Sequence, residues 1–182
     1  MGADLRSFQN QPFELLLQFE ARLRAVRLDM AAGQAEAWSG LGFRIEDNWM
    51  AAPRDDVLEV IVPPPLTRVP NARSWLLGVA NVRGNLLTVV DLRQFLGLPA
   101  VESHRAQRVL VLNSTHYPVG YLVDEVAGHR QFTPNEQRHR EAVRLEQFAP
   151  YLLGAFVHEG QTWLAMSLHK LAISPTLRQA GL

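Results

Sequence analysis

The chain contains no cysteine. Disulfides, thiolate zinc sites and a cysteine nucleophile are therefore excluded. It has no excess of either charge, since 18 basic residues face 18 acidic ones. That counts against a general nucleic-acid binder, which is usually basic, though not against a local patch. No run of 18 or more apolar residues occurs and the N-terminal stretch has no signal-peptide apolar core, so a cytoplasmic location without direct membrane insertion is expected. Catalytic spacings are missing as well. His104, His116, His129, His139, His158 and His169 form neither an i, i+4 pair nor an H-E-x-x-H motif. Gly40-Leu-Gly42 lacks the third glycine and the following helix of a dinucleotide site, and there is no G-x-S-x-G. Asp55 and Asp56 are adjacent residues of a turn, so their side chains diverge. No catalytic residue, no metal site and no cofactor is expected.

What is present is a pattern of short strands. The most informative stretch is Gly78–Gly97. Two apolar runs, Gly78–Val82 and Leu86–Val90, flank Arg83-Gly84-Asn85, where Gly and Asn tolerate the positive φ of a tight hairpin turn. Asp91 can cap a short helix, Gln94 sits three residues on as a capping box requires, and Gly97 can close it. The pattern returns 76 residues later: Gly154–Gly160 aligns with Gly78–Gly84, Trp163–Leu168 with Leu87–Leu92, and Ser167 falls where Asp91 fell. Val57-Leu-Glu-Val60 has a weaker echo in Val123-Asp-Glu-Val126. We read the pair of echoes as an internal duplication, giving two similar β units too close in sequence to be independent domains. Gly84, Asp91, Gly160 and Ser167 are then structural turn and cap residues.

Before these units, Leu16, Phe19, Leu23, Val26 and Met30 share one helical stripe over residues 12–30. This helix either docks on its own domain or offers a surface for a partner or for self-association. Residues 32–39 read as a linker. From Leu41 the pattern is β, with strands at Leu41–Ile45, Trp49–Ala52 after a turn at Asp47-Asn48, and Val57–Val62 before Pro63-Pro64-Pro65. A short strand near Thr67–Val69 and a helical turn around Ala72–Leu76 lead into the hairpin. Further strands are expected at Arg108–Asn113, Val119–Val126, His129–Phe132, Leu153–His158 and Thr162–Met166, with a polar helix-prone stretch at Pro134–Glu146 and a helical turn at Leu168–Ala172. Many short strands point to small barrels. Several strands, such as Val109–Leu112, Val119–Val123 and Leu86–Val90, are apolar on both faces, which implies barrel-on-barrel packing or an external partner.

Gly78-Val-Ala-Asn-Val-Arg-Gly-Asn-Leu-Leu-Thr-Val-Val-Asp-Leu92 resembles the signature of CheW-like adaptor domains, roughly G-x-x-N-x-R-G-x-x-x-P-V-x-D-L. Val57–Val60, Val119–Val126 and Gly154–Leu171 resemble that family's other motifs in the right order, and the likeness spans about residues 41–174. The N-terminal helix and Trp49-Met-Ala-Ala-Pro53 resemble the branch found in type IV pilus, or twitching motility, chemosensory systems. One departure is Thr88, where the family often has proline; it restores an amide donor.

The resemblance implies a mainly β fold of two intertwined five-stranded SH3-like barrels, here with an N-terminal α-helical extension. The expected division is 1–39 for helix and linker, 40–174 for the two-barrel domain and 175–182 for a tail. It implies a non-catalytic scaffold in membrane-associated receptor arrays, bridging the cytoplasmic tip of a chemoreceptor and the regulatory domain of a CheA-type histidine kinase, itself CheW-like. The family's receptor-binding surface maps onto Val57, Glu59 and Arg83, with Gly78 and Asn81 beside it. Period two puts Val57, Glu59 and Ile61 on one strand face, and Leu58, Val60 and Val62 are expected to face the core. Arg83 has three alternatives: a solvated turn residue, an internal salt bridge, or a planar, always-charged donor to a receptor. Asn81 either ties the hairpin or meets a partner. For the kinase, Val119 and Tyr121 on the doubly apolar strands are the favoured contacts, with inter-barrel core as the alternative. Arg130, Arg138, His139, Arg140 and Arg144, interleaved with Glu136, Glu141 and Glu146, read as a solvated charge-balanced stretch or a contact for an acidic partner or nucleic acid. A small-barrel nucleic-acid binder is the competing function; it requires a basic groove with exposed aromatics.

Overall fold

The computed structural model describes residues 37–138 and 148–179. The helix expected over residues 12–30 and the charged stretch 139–146 lie outside these residues. In chain order the elements are β1 (Trp38–Ile45), β2 (Asn48–Pro53), β3 (Val57–Ile61), β4 (Leu76–Val82), β5 (Asn85–Asp91), α1 (Leu92–Phe95), β6 (Arg108–Leu112), β7 (Val119–Val123), β8 (Glu125–Phe132), β9 (Gln137–Arg138), β10 (Leu152–His158), β11 (Gln161–Met166), α2 (Leu168–Ala172) and α3 (Pro175–Arg178). They form two sheets. The first has the order β8-β1-β2-β11-β10-β9 and the second β3-β6-β7-β5-β4.

The two sheets repeat one plan. In each, an edge strand (β8 or β3) leads to a hairpin (β1–β2 or β6–β7). This hairpin meets a second one (β11–β10 or β5–β4) through a parallel contact, β2 with β11 and β7 with β5. The second sheet uses consecutive strands. The first takes β8–β11 and is completed by β1–β2 from the start of the described chain. The units are therefore intertwined.

The duplicated hairpins match in detail. Arg83-Gly84 and Glu159-Gly160 both have positive φ, at 51° and 85° and at 51° and 78°, as a two-residue type I′ loop demands. Register shifts fall at Leu76/Gly78 and at Leu152/Gly154. Asp91 Oδ1 accepts from the Gln94 amide at 3.1 Å, and Ser167 Oγ from the Lys170 amide at 3.3 Å. Even the outer edges agree: Thr67 bridges Val79, and Arg138 pairs with Ala155. Glu136 staples the approach to β9, accepting from the Thr133 amide at 2.6 Å and lying 2.6 Å from His158 Nδ1. The Thr133 amide, with His158 second, holds its carboxyl below the usual range.

Three cores follow from two sheets. Leu87, Val89, Val109 and Val111 fill the second barrel. Phe132, Phe156 and Trp163 fill the first with stacked and tilted rings. A larger core between the sheets holds Phe43, Ile45 and Met50 against Val90, Leu110, Leu112 and Tyr121. This middle layer is why β5, β6 and β7 are apolar on both faces.

Several local expectations differ. The turn after β1 uses Glu46-Asp47, with Glu46 at φ 56°. The run Val119–Val126 breaks at Asp124, whose amide donates to the Arg44 carbonyl at 3.1 Å. Residues 70–75 make turns in place of a helical turn, and Leu76 already opens β4. Within the described part of 134–146, only Pro134–Glu136 is helical, as a 3₁₀ turn. The tail expected from 175 begins with α3, whose Leu177 is buried in the middle core.

Candidate functional site

The second sheet shows where its cover ends. One row of paired residues runs across it: Leu76, Val90, Tyr121, Leu110 and Val60. The first four are buried in the middle core. The row then reaches β3, the edge strand, where Val60 is 38% exposed. Its neighbours on that face, Leu58 and Val62, are 63% and 69% exposed. The sequence expectation placed these three in the core. The structure reverses it: Val57 packs on the middle core and Ile61 on the second-barrel core, while Leu58, Val60 and Val62 face out. An apolar strip continuous with a core but left uncovered is the mark of a protein interface.

Beside this strip lies the pair the sequence singled out. Arg83 Nη2 is 2.9 Å from Glu59 Oε2, joining the tip of the β4–β5 hairpin to β3, the opposite edge of the sheet. The Arg83 side chain stays 78% exposed, whereas that of Glu59 is 23% exposed. The pair adds less than about 1 kcal/mol to stability at such exposure. It does orient a guanidinium toward solvent with donors to spare. Asn81 Oδ1 accepts from the Gly84 amide at 2.8 Å, so this exposed side chain ties the hairpin.

Two other assignments are corrected. Gly78 is buried at φ 144°, and a Cβ there would lie 2.4 Å from the Thr67 carbonyl oxygen. It is a site of close backbone approach, not a receptor contact. Gly78→Ala should therefore destabilise the fold by about 2–3 kcal/mol, through the clash and the left-handed φ. Thermal unfolding checks this, and a melting temperature equal to that of the parent contradicts it. Val119 and Tyr121, favoured for the kinase, are fully buried between the sheets. The Tyr121 hydroxyl donates to the Leu168 carbonyl at 3.2 Å. Burial, then the nearby Asp56 carboxylate, pushes its pKa well above the usual phenol value.

Gly84, Asp91, Gly160 and Ser167 sit in the two turns and two caps described above. Thr88 uses the donor that proline would lack, since its amide donates to the Pro118 carbonyl at 2.8 Å. Arg130 lies over the Trp163 ring, 5.7 Å from its centroid, and is not a free basic group.

Comparison with known proteins agrees with this architecture. Protein PilI of Pseudomonas aeruginosa is 38% identical over 164 residues, 88% of this chain and 91% of that protein. Chemotaxis protein CheW of Helicobacter pylori is 30% identical over 71% of this chain and 70% of its own length. The crystal structure of the scaffolding protein TtCheW from Thermoanaerobacter tengcongensis has the same fold, with a TM-score of 0.68 at 18% identity, covering 78% of this chain and 96% of that one. A family model described as the CheW-like domain matches residues 39–175. With its paired sheets, duplicated hairpins and signature arginine turn, the chain belongs to the CheW-like domain family.

Proposed function

We propose that this CheW-like chain is a non-catalytic adaptor that couples a chemoreceptor to a CheA-type histidine kinase in an array controlling motility, and that the motility is type IV pilus twitching. The observation that carries the proposal is the apolar row that ends uncovered at Val60, next to the Glu59–Arg83 pair. An apolar centre with an oriented cation at its margin suits a protein partner. The likeness to Protein PilI supports the pilus assignment.

In this proposal the receptor tip contacts Glu59 and Arg83, with Asn81 holding the turn that presents the guanidinium, while Val57, turned onto the middle core, seats the strand beneath them. The kinase regulatory domain covers Leu58, Val60 and Val62. A sheet of that domain would sit on the strip as the first sheet sits on Leu110 and Tyr121. The adaptor acts by fixing the geometry of its partners, so that receptor conformations bias kinase populations. The competing nucleic-acid function calls for exposed rings. Trp38, Trp49, Phe132, Phe156 and Trp163 instead stack on one another within the first barrel.

The test is co-purification with a receptor cytoplasmic fragment and with the kinase regulatory domain. Arg83→Ala and Glu59→Ala are each expected to weaken receptor binding by about 2 kcal/mol, or thirtyfold. Their melting temperatures should stay near that of the parent. Unchanged receptor binding by both folded variants would remove the assignment.

A further inference from the structure

The duplication extends to a pair of buried aspartates. Asp56 directly precedes edge strand β3 and Asp124 directly precedes edge strand β8. Each reaches across to the other sheet. Asp56 Oδ2 accepts from the Leu168 amide at 3.0 Å, from Ser167 Oγ at 3.2 Å and from the His169 amide at 3.5 Å, and Oδ1 lies 3.9 Å from His169 Nε2. It thus fastens the second sheet to the start of α2, which follows the last strand of the first. Asp124 Oδ2 accepts from Arg93 Nη1 at 2.9 Å and from the Glu46 amide at 2.6 Å. It thus fastens the first sheet to α1, which follows a strand of the second. Arg93 and His169 occupy equivalent positions, each two residues after its helix cap, Asp91 or Ser167.

The latches are equivalent in place and unequal in what they hold. The strand after Asp124 turns Val126 onto the middle core, opposite Phe43, and beyond the register shift at Gly128 (φ 78°) it exposes the polar His129 and Gln131, whereas the strand after Asp56 exposes the apolar Leu58, Val60 and Val62. The Asp56 main chain is also clamped. Its carbonyl accepts from the Asn113 amide at 2.9 Å, and the Asp55 carbonyl from Asn113 Nδ2 at 3.0 Å.

We propose that Asp56 is a positioning residue for the docking edge. By anchoring the N-terminal end of β3 to the first sheet, it sets the height and angle at which Leu58, Val60 and Glu59 meet a partner, without touching the partner itself. The inference rests on the docking role of β3 proposed above. Asp56→Asn keeps the side-chain volume but removes the negative charge that strengthens the bonds to Oδ2, and its NH2 takes the place of Oδ1, 3.9 Å from His169 Nε2.

The experiment compares Asp56→Asn with Asp124→Asn in the full chain. Both should lower the melting temperature. Only Asp56→Asn should weaken binding of the kinase regulatory domain, by about tenfold, and speed amide exchange at Leu58–Ile61 more than in β8, because a loosened element opens locally. Asp124→Asn should leave binding within about twofold, as residues without shared partners act independently. Ser167→Ala, which removes one of the contacts to Asp56, should show the same trend more weakly and serves if Asp56→Asn does not fold. Equal losses of binding in the two aspartate variants would overturn the proposal, as would unchanged exchange in β3. Val60→Asp separates the two failures. If it binds the kinase domain normally, the docking role of β3 is wrong. If it loses binding while Asp56→Asn and Ser167→Ala do not, the latch alone is wrong.

Discussion

Truncating Tyr121 to alanine is expected to lower the unfolding free energy by about 3–5 kcal/mol, the range for removing a large ring from a closed core. The residue sits at the middle of the buried row, paired with Leu110 on one side and Val90 on the other, and none of it is exposed. Its ring belongs to the core shared by both sheets, so the cavity would weaken both barrels at once. Tyr121→Phe isolates the hydroxyl, which donates to Leu168, and should cost about 1 kcal/mol. Urea denaturation of the two variants measures both quantities. A Tyr121→Ala protein of parental stability that fails to bind the kinase domain would contradict the buried placement.

The second large effect is on binding. Changing Leu58 and Val60 together to aspartate should reduce affinity for the kinase regulatory domain by about a hundredfold or more, since charge in a desolvated interface centre is severely penalised. Stability should move by no more than about 0.5 kcal/mol at such exposed positions. Titration calorimetry against the kinase domain, with melting curves as the control, gives the answer. Retention of parental affinity would mean the strip faces something else.

These two residues sets mark where sequence reasoning worked and where it ran out. The hairpin at Arg83-Gly84, its copy at Glu159-Gly160 and the caps at Asp91 and Ser167 were legible because turn and cap chemistry is local. The likeness of the two hairpins was legible because glycines at fixed offsets survive where side chains drift. The orientation of β3 was not. Alternation reports two faces without saying which is covered, and both faces of Val57–Val62 carry apolar residues. Only the sheet order, which puts β3 at an edge beyond the reach of the first sheet, decides it. The doubly apolar strand at Val119–Val123 correctly demanded two covers, and the middle core supplies the second, which removes Val119 and Tyr121 from the surface. The break at Asp124 was hidden within a continuous strand-like run, because its cause is a distant partner, Arg93. The equivalence of β1–β2 with β6–β7 left no shared motif to find.

That borrowed hairpin has a consequence for biosynthesis. Trp49 and Met50 on β2 pair with Trp163 and Leu164 on β11, over a hundred residues downstream. On the ribosome the second sheet acquires all its strands early, while the free edge of β2 waits for β11 to emerge. A nascent chain halted before β11 would carry one finished barrel and a partial sheet, β8-β1-β2, whose β2 edge lacks its partner, a species suited to capture by chaperones. Closure of the first sheet is thus decided by the arrival of β11.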